Sequence, residues 1–381
     1  MAAAAGVTGW ARSRWARLNG PGRLGGIDLA RGLAVVGMLA AHLLVIEPLV
    51  AGRPDTWLDI VNGRSSILFA TLAGVSLAIV TGGRTPLRGG ARVRASGRIA
   101  VRAGLLWIIG LLLISTGVPV YVILPAYAIL FLLALPFVGL RARTLFFIAV
   151  GLALVMPFVQ VGLDDLPIWS SVLGEALSAA IGWAYPFPTW IAFVLTGMAL
   201  GRLDLRSLSV QGILLCAGAA VTTVTYSMAV ISGSSAVAEQ QGFFAAVWTA
   251  RAHSTGLLEV IGSGAFAVTV IAACLLLCRT ALRWVVLPLR AVGSMPLTAY
   301  TAQLLVWAVV SASVLGTTRA LTPFRELEPF WPITVGIIVG CTAWALLVGR
   351  GPLEAAIDTA ARWMVREPGR PVAESTPPAR G

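Results

Sequence analysis

Apolar runs of about 20 residues recur from Ile27 to Val348, separated by segments in which arginines collect. A helix rising about 1.5 Å per residue needs roughly that many residues to cross a bilayer. The pattern therefore predicts an all-α fold, a polytopic membrane helix bundle of about ten transmembrane helices. Charged residues make up only 12% of the 381, about half of what a soluble domain carries. The predicted helices are Ile27–Ile46, Ser65–Thr81, Ile99–Ser115, Val122–Leu140, Leu145–Val161, one ending at Arg202, Val210–Ile231, one ending at Arg279, Ala291–Ala312 and Trp331–Val348. Two amphipathic stretches, SSVLGEALSAAIGW and PLEAAIDTAARWMV, read as short surface helices.

The net charge is +12 and every basic residue is Arg. Such a balance can signal nucleic acid, but here the arginines sit between hydrophobic spans, where membrane orientation accounts for them. With the N-terminus inside, roughly 22 arginines fall on the cytoplasmic side and about five outside. Asp55, Asp59, Asp164, Asp165, Glu175, Glu239, Glu326 and Glu328 fall in outer loops. The expected layout is N-in/C-in. It has a cytoplasmic basic N-terminus over 1–25, a transmembrane domain over 26–349, and a cytoplasmic tail over 350–381 that is amphipathic and then disordered. MAAAAGV is too short for a signal-peptide core, and arginines follow it. The Lys-free, Ala- and Gly-rich composition suggests a GC-rich bacterial genome, and hence a bacterial inner membrane, multi-pass.

The first span carries Asp28, Arg31 and His42 in GIDLARGLAVVGMLAAHLLVI. At about 100° per residue, Arg31 and His42 differ by about 20°, with Asp28 within about 60° of both, so the three share a face. Ionisable groups at that depth normally face a bundle interior or a wet cavity. The plainer alternative is an ion pair that fixes the helix end and a hydrogen-bonded core histidine. His42 is one of two histidines, and a neutral imidazole there has the chemistry of a general base.

The other histidine, His253, stands in TARAHSTGLLEVIGSG with Glu259 behind it; Ser254 and Thr255 read as a helix N-cap. Asn62, Gly63 and Arg64 form an outer turn that leads into a helix whose Gly74, Ser76 and Ala78 allow close packing. Asn62, Arg64, His253 and Glu259 are candidates for contact with an acceptor, although snorkelling explains Arg64 and a solvated loop explains His253. Arg98 and Arg102 stack at i,i+4 on the inner end of the third helix. Guanidinium groups suit bidentate phosphate contacts, so they are candidate cofactor-binding residues. Cys216, Cys274, Cys278 and Cys341 lie in apolar spans without a histidine or carboxylate cluster, so no metal site is expected.

Arg31, ten residues, then His42 resembles the Arg-x10-His motif of the acyltransferase-3 membrane proteins. IDLARGLAVVGM resembles the same place in the heparan-α-glucosaminide N-acetyltransferase catalytic domain and in YeiB-like proteins. NGRSSILFATLAGVSLAI, HSTGLLEVIGSG, GSMPLTAYTAQLL and GPLE are further YeiB-like matches. The resemblance implies a transmembrane acyltransferase, with His42 as catalytic residue, Arg31 as its partner and Asp28 beside them. The heparan-type enzymes place Asn at the position of His42 and carry their histidine in the next loop. Here that loop, Glu47–Arg64, has no histidine, so the role of His42 is carried over from the acyltransferase-3 branch alone.

The expected function is transfer of an acyl group, acetyl first among them, from cytoplasmic acetyl-CoA or another acyl-CoA. The acceptor is a hydroxyl or amine of an extracytoplasmic sugar or glycolipid. Expected partners are the lipid bilayer and that carbohydrate or glycolipid acceptor, with a homo-oligomer allowed and no nucleic acid. The rival reading is a transporter or flippase for a polar or lipid-linked solute. It would use the same buried ionisable groups as a pathway, and helices broken near the midplane would favour it.

Overall fold

The computed structural model describes residues 15–365 apart from 17, 21, 51 and 235–241. Among the described residues every regular element is helical. The expectations for residues 1–14, for Glu239 and for a disordered run after Val365 lie outside the described residues.

The main helices are α1 (Gly25–Leu43), α2 (Arg64–Val80), α3 (Gly89–Ile114), α4 (Leu124–Ala134), α5 (Ala142–Asp164), α6 (Val172–Ile181) and α7 (Phe187–Gly201). They continue with α8 (Leu208–Ile231), α9 (Leu257–Leu277), α10 (Leu287–Ser294), α11 (Pro296–Leu315), α12 (Phe330–Leu347) and α13 (Pro352–Met364). All ten predicted spans are helical. Among the described residues, eight helices are long and apolar enough to cross a membrane, judged by length and composition; the segments Leu124–Phe137 and Phe187–Gly201 are shorter. The chain is thus a polytopic helical bundle. α7 is buried along nearly its whole length. Neighbouring helices rather than lipid enclose it, so bilayer thickness does not set its length.

The predicted ninth helix is in fact two, α10 and α11, broken at Met295. Pro296 has no N–H to continue the ladder. The new helix start is supplied from the tail: Glu354 of α13 accepts from the N–H groups of Leu297 (2.8 Å) and Thr298 (3.1 Å) and from Thr298 Oγ1 (2.5 Å). A carboxylate at a helix N-terminus satisfies donors that would otherwise be orphaned. Gly293, just before the break, lies against the Asp28 carbonyl. The break is therefore level with the first turn of α1, not halfway along the bundle as the transporter reading would favour.

Two backbone-on-backbone contacts hold the centre. A Cβ on Gly293 would stand 1.7 Å from Asp28 O, and one on Gly32 would stand 2.0 Å from Leu289 O, so α1 and α10 admit no side chain between them. Gly74 and Gly197 do the same for α2 and α7: added Cβ atoms would meet Val194 O at 2.0 Å and Thr71 O at 1.8 Å. Of the small residues predicted to allow close packing on α2, Gly74 and Ala78 meet α7, and Ser76 instead accepts from Arg31 of α1. At the periphery, α8 and α12 turn apolar side chains such as Val224, Ile231, Val335 and Val339 outward, as lipid-facing surfaces do.

Both amphipathic stretches are helices. α6 begins on Ser171, whose Oγ accepts from Gly174 N (3.0 Å), and ends on Gly182 at φ 67°. α13 buries Ile357 and Ala361 and packs on α3 and α11. The expected Ser254/Thr255 cap is different: α9 starts after Gly256 without a side-chain cap, because the carboxylate of Glu259 takes over the loop's donors.

Candidate functional site

The bundle has two polar ends, named here for the first-helix residues they contain. α1 runs from the Asp28 end to the His42 end, and Asp28 and His42 stand about 21 Å apart along its axis.

At the Asp28 end, Asp28 is buried, 3% exposed. It accepts from Arg23 Nε (2.5 Å) and from a terminal nitrogen of Arg31 (3.3 Å). The other terminal nitrogen of Arg31 donates to Ser76 Oγ (2.7 Å) on α2. Asp28 therefore orients Arg31, whose guanidinium lines a cavity of about 290 Å³. Arg102 and Arg350 also line this cavity. Its apolar walls are Phe69, Leu72, Leu106 and Phe131, and Tyr127 and Tyr300 line it too. Arg102 and Arg350 donate to Asp358, each at 2.8 Å, and Arg362 is ion-paired with it at 2.6 Å. Burial pushes the Asp358 carboxyl up, but the hydrogen bonds and charges of Arg350 and Arg102 outweigh it and hold the group below its ordinary value. One carboxylate against three guanidinium groups leaves the patch cationic. Arg98 is one turn from Arg102 but does not line the cavity, and its Nε is buried without a hydrogen-bond partner.

At the His42 end, His42 is half-buried, and its electrostatic neighbours are His253 and Arg325. Two segments far apart in sequence thus bring both histidines to this end. Arg325 donates to the His42 carbonyl. The loop that carries His253 is wrapped around Glu259: Oε1 accepts from His253 N (2.6 Å), and Oε2 accepts from Thr255 N (2.6 Å) and Ser254 Oγ (3.1 Å). His253 and Thr255 both have positive φ, 63° and 54°. Non-glycine residues hold that conformation only when their surroundings impose it, and Glu259 does so here. The His253 ring is accessible yet stands deep among protein atoms, and this desolvation lowers its imidazole below the ordinary histidine value.

The Asn62–Arg64 turn completes this end. Asn62 Nδ2 donates to Asp59 Oδ1 (3.1 Å). Arg64 donates to Tyr226 OH (2.8 Å) and Asp59 O (3.0 Å), and Tyr226 shares a hydrogen bond with Ser263 (2.8 Å). Gly63 sits at φ 68°, and a Cβ there would stand 3.4 Å from Glu259 Oε1. The turn and the His253 loop are therefore packed together.

Buried tyrosines stand at both ends. Tyr127, at the cavity, donates to Ser66 O (3.4 Å). Tyr185 donates to Tyr121 O (3.1 Å). The Tyr185 ring meets that of His253 edge-on, 6.4 Å between centroids. Tyr127, Tyr185, Tyr300, Arg325, Arg350, Glu354 and Asp358 were not among the predicted site residues. Tyr300 and Glu354 do lie in GSMPLTAYTAQLL and GPLE, motifs already distinctive in the sequence, whereas Tyr185 and Arg325 lie in segments with no such signal.

The architecture defines a multi-pass membrane protein with a cationic cavity at the Asp28 end and both histidines at the other. A family model described as heparan-alpha-glucosaminide N-acetyltransferase, catalytic, matches residues 23–235, and one described as a protein of unknown function (DUF418) matches residues 205–363. No curated protein matches the chain. The chain belongs to the heparan-α-glucosaminide N-acetyltransferase catalytic-domain family, a membrane acetyltransferase-like family, and carries the DUF418 region after it.

Proposed function

We propose that this protein transfers an acyl group, acetyl first among them, from acyl-CoA to a hydroxyl or amine of a sugar or glycolipid on the far side of a bacterial inner membrane. The observation that supports the reading most is the cavity at the Asp28 end. Its size is at the low end for small-molecule sites. That suits a narrow acyl-pantetheine arm between apolar walls, with the phosphates left at the arginines. Arg31, Arg102 and Arg350 provide the phosphate-binding chemistry, and the Arg-rich Asp28 end is the cytoplasmic one by the charge asymmetry of the loops. His42, with His253 beside it, takes the proton of the acceptor hydroxyl or amine. Arg64 and Asn62 shape the acceptor side, and Asp28 acts by orienting Arg31.

The test is binding of acetyl-CoA and longer acyl-CoAs to the purified protein by calorimetry. Binding is expected to weaken with salt, because exposed phosphate contacts are screened, and to weaken in Arg102→Gln and Arg350→Gln. Folded protein that binds no acyl-CoA would overturn the reading and return the cavity to the transporter alternative.

A further inference from the structure

Gln303 lies on α11 and is 1% exposed, and neither its Nε2 nor its Oε1 has a hydrogen-bond partner. A buried amide left unpaired carries a desolvation penalty that no hydrogen bond offsets. A helix facing a close-packed core has no reason to keep one there when Leu or Met would fill the same space. The nearby Trp307 Nε1 is also buried and unpartnered.

The position of Gln303 gives the cost a purpose. Tyr300, Gln303 and Trp307 fall within about 60° on one face of α11. Tyr300, toward the Asp28 end, lines the cationic cavity. Trp307, toward the His42 end, stacks on Phe324 at 5.2 Å between centroids and 6° between planes. Phe324 is next to Arg325, which grips the His42 carbonyl. Along α11, Gln303 therefore lies between Tyr300, which lines the cavity, and Trp307, which faces the His42 end; the amide itself is buried one turn beyond the cavity wall.

We propose that the Gln303 carboxamide binds the carbonyl oxygen of the acyl group during transfer. The proposal rests on the acyl-transfer reading and assigns a residue to it. In the step, the acceptor oxygen or nitrogen forms a bond to the acyl carbon and its proton passes to His42. The carbonyl oxygen gains negative charge and is met by the Gln303 N–H. The carbon–sulfur bond then breaks, the sulfur keeps the electron pair and is protonated, and free thiol and acylated acceptor result. A donor placed in advance where charge develops is worth about 10²–10³-fold in rate.

The test uses the full chain in detergent, with Gln303→Leu and Gln303→Met compared with wild type. Three readouts are taken: acetyl-CoA affinity, turnover, and the infrared band of carbonyl-labelled acetyl-CoA when bound. The expected result is affinity lower by no more than about tenfold, turnover lower by about 10²–10³-fold, and a thioester carbonyl band at lower frequency in wild type than in either variant. Melting temperature should hold or rise, because replacing an unpaired buried amide by an apolar group is neutral or stabilising. Wild-type turnover in Gln303→Leu with an unshifted band would overturn the proposal. A sharp fall in melting temperature in both variants would also overturn it, by showing a structural role. Wild-type protein that neither binds nor uses any acyl-CoA would instead remove the acyl-transfer reading, and this proposal with it.

Discussion

Arg325 donates from Nε and a terminal nitrogen to the backbone carbonyl of His42, at 3.0 and 2.7 Å. His42 is in the last turn of α1, where carbonyls have no intrahelical partner and the helix dipole favours a cation. A segment almost 300 positions later thus closes the helix that carries the candidate base.

Arg325→Leu should therefore loosen the end of α1. Loss of about 1–2 kcal/mol is expected, the scale of a charge-assisted contact at a helix C-terminus. Turnover should fall more than donor affinity, since the cavity is at the other end. Thermal melts and steady-state kinetics on the purified variant check both; a Kd change as large as the turnover change would place Arg325 elsewhere in the mechanism.

Substitutions at His42 separate base from scaffold. His42→Ala and His42→Gln are both expected to lower transfer by about 10²–10⁴-fold while donor affinity and expression persist. The amide of Gln can donate and accept hydrogen bonds but takes up no proton near neutral pH. Full activity in His42→Gln would shift the role of base to His253.

The depressed His253 pKa has a consequence for stability. Unfolded, this histidine titrates near its ordinary value; folded, it titrates lower. Between the two values the unfolded chain binds more protons, so stability rises with pH through that window and declines as pH falls from about 6.5 toward the folded value. Melting temperature followed across mildly acid pH should drop in wild type, and part of the drop should vanish in His253→Gln. Superimposable curves would mean the ring is not desolvated.

Glu259 is expected to behave as the anchor of the His253 loop. Glu259→Ala leaves the N–H groups of His253 and Thr255 without their acceptor, a loss of about 1–3 kcal/mol for each buried group. The positive-φ conformations they hold should then relax. Limited proteolysis within 251–256 should speed up in this variant, with donor affinity intact. Glu259→Gln, which keeps an acceptor oxygen, should fall between. A Glu259→Ala loop as resistant as wild type would argue that the carboxylate serves the reaction instead.

Orientation can be read directly. Reporter fusions after Arg98, after Arg143 and at the C-terminus should report the cytoplasm, and fusions within Glu47–Arg64 the outside, because arginines crowd the former segments. An external C-terminus would overturn the N-in/C-in layout.

The helices were legible because hydrophobic length is a local property, and the amphipathic α6 and α13 were legible by their periodicity. The break at Pro296 was not, since proline within an apolar run is compatible with a kink or a stop; only the carboxylate of Glu354, from the far end of the chain, decides for a fresh helix start. Asp28 and Arg31 could be paired from their spacing. That His253 comes to the His42 end could be raised as one alternative but not decided, because it depends on how the loop before α9 folds over the bundle. Arg102 and Arg98 looked equivalent on one helix face, and the tail helix distinguishes them: Asp358 reaches Arg102.

The glycine contacts also limit how such a molecule can move. Where the carbonyl of Asp28 lies against Gly293 and that of Thr71 against Gly197, no side chain is left to act as a bearing, and sliding one helix past the other would drive backbone into backbone. Those pairs travel as fused struts. Under the proposed acyl transfer, admission of substrate is then a matter of side chains and loops yielding around a stationary frame rather than of one helix rocking past another.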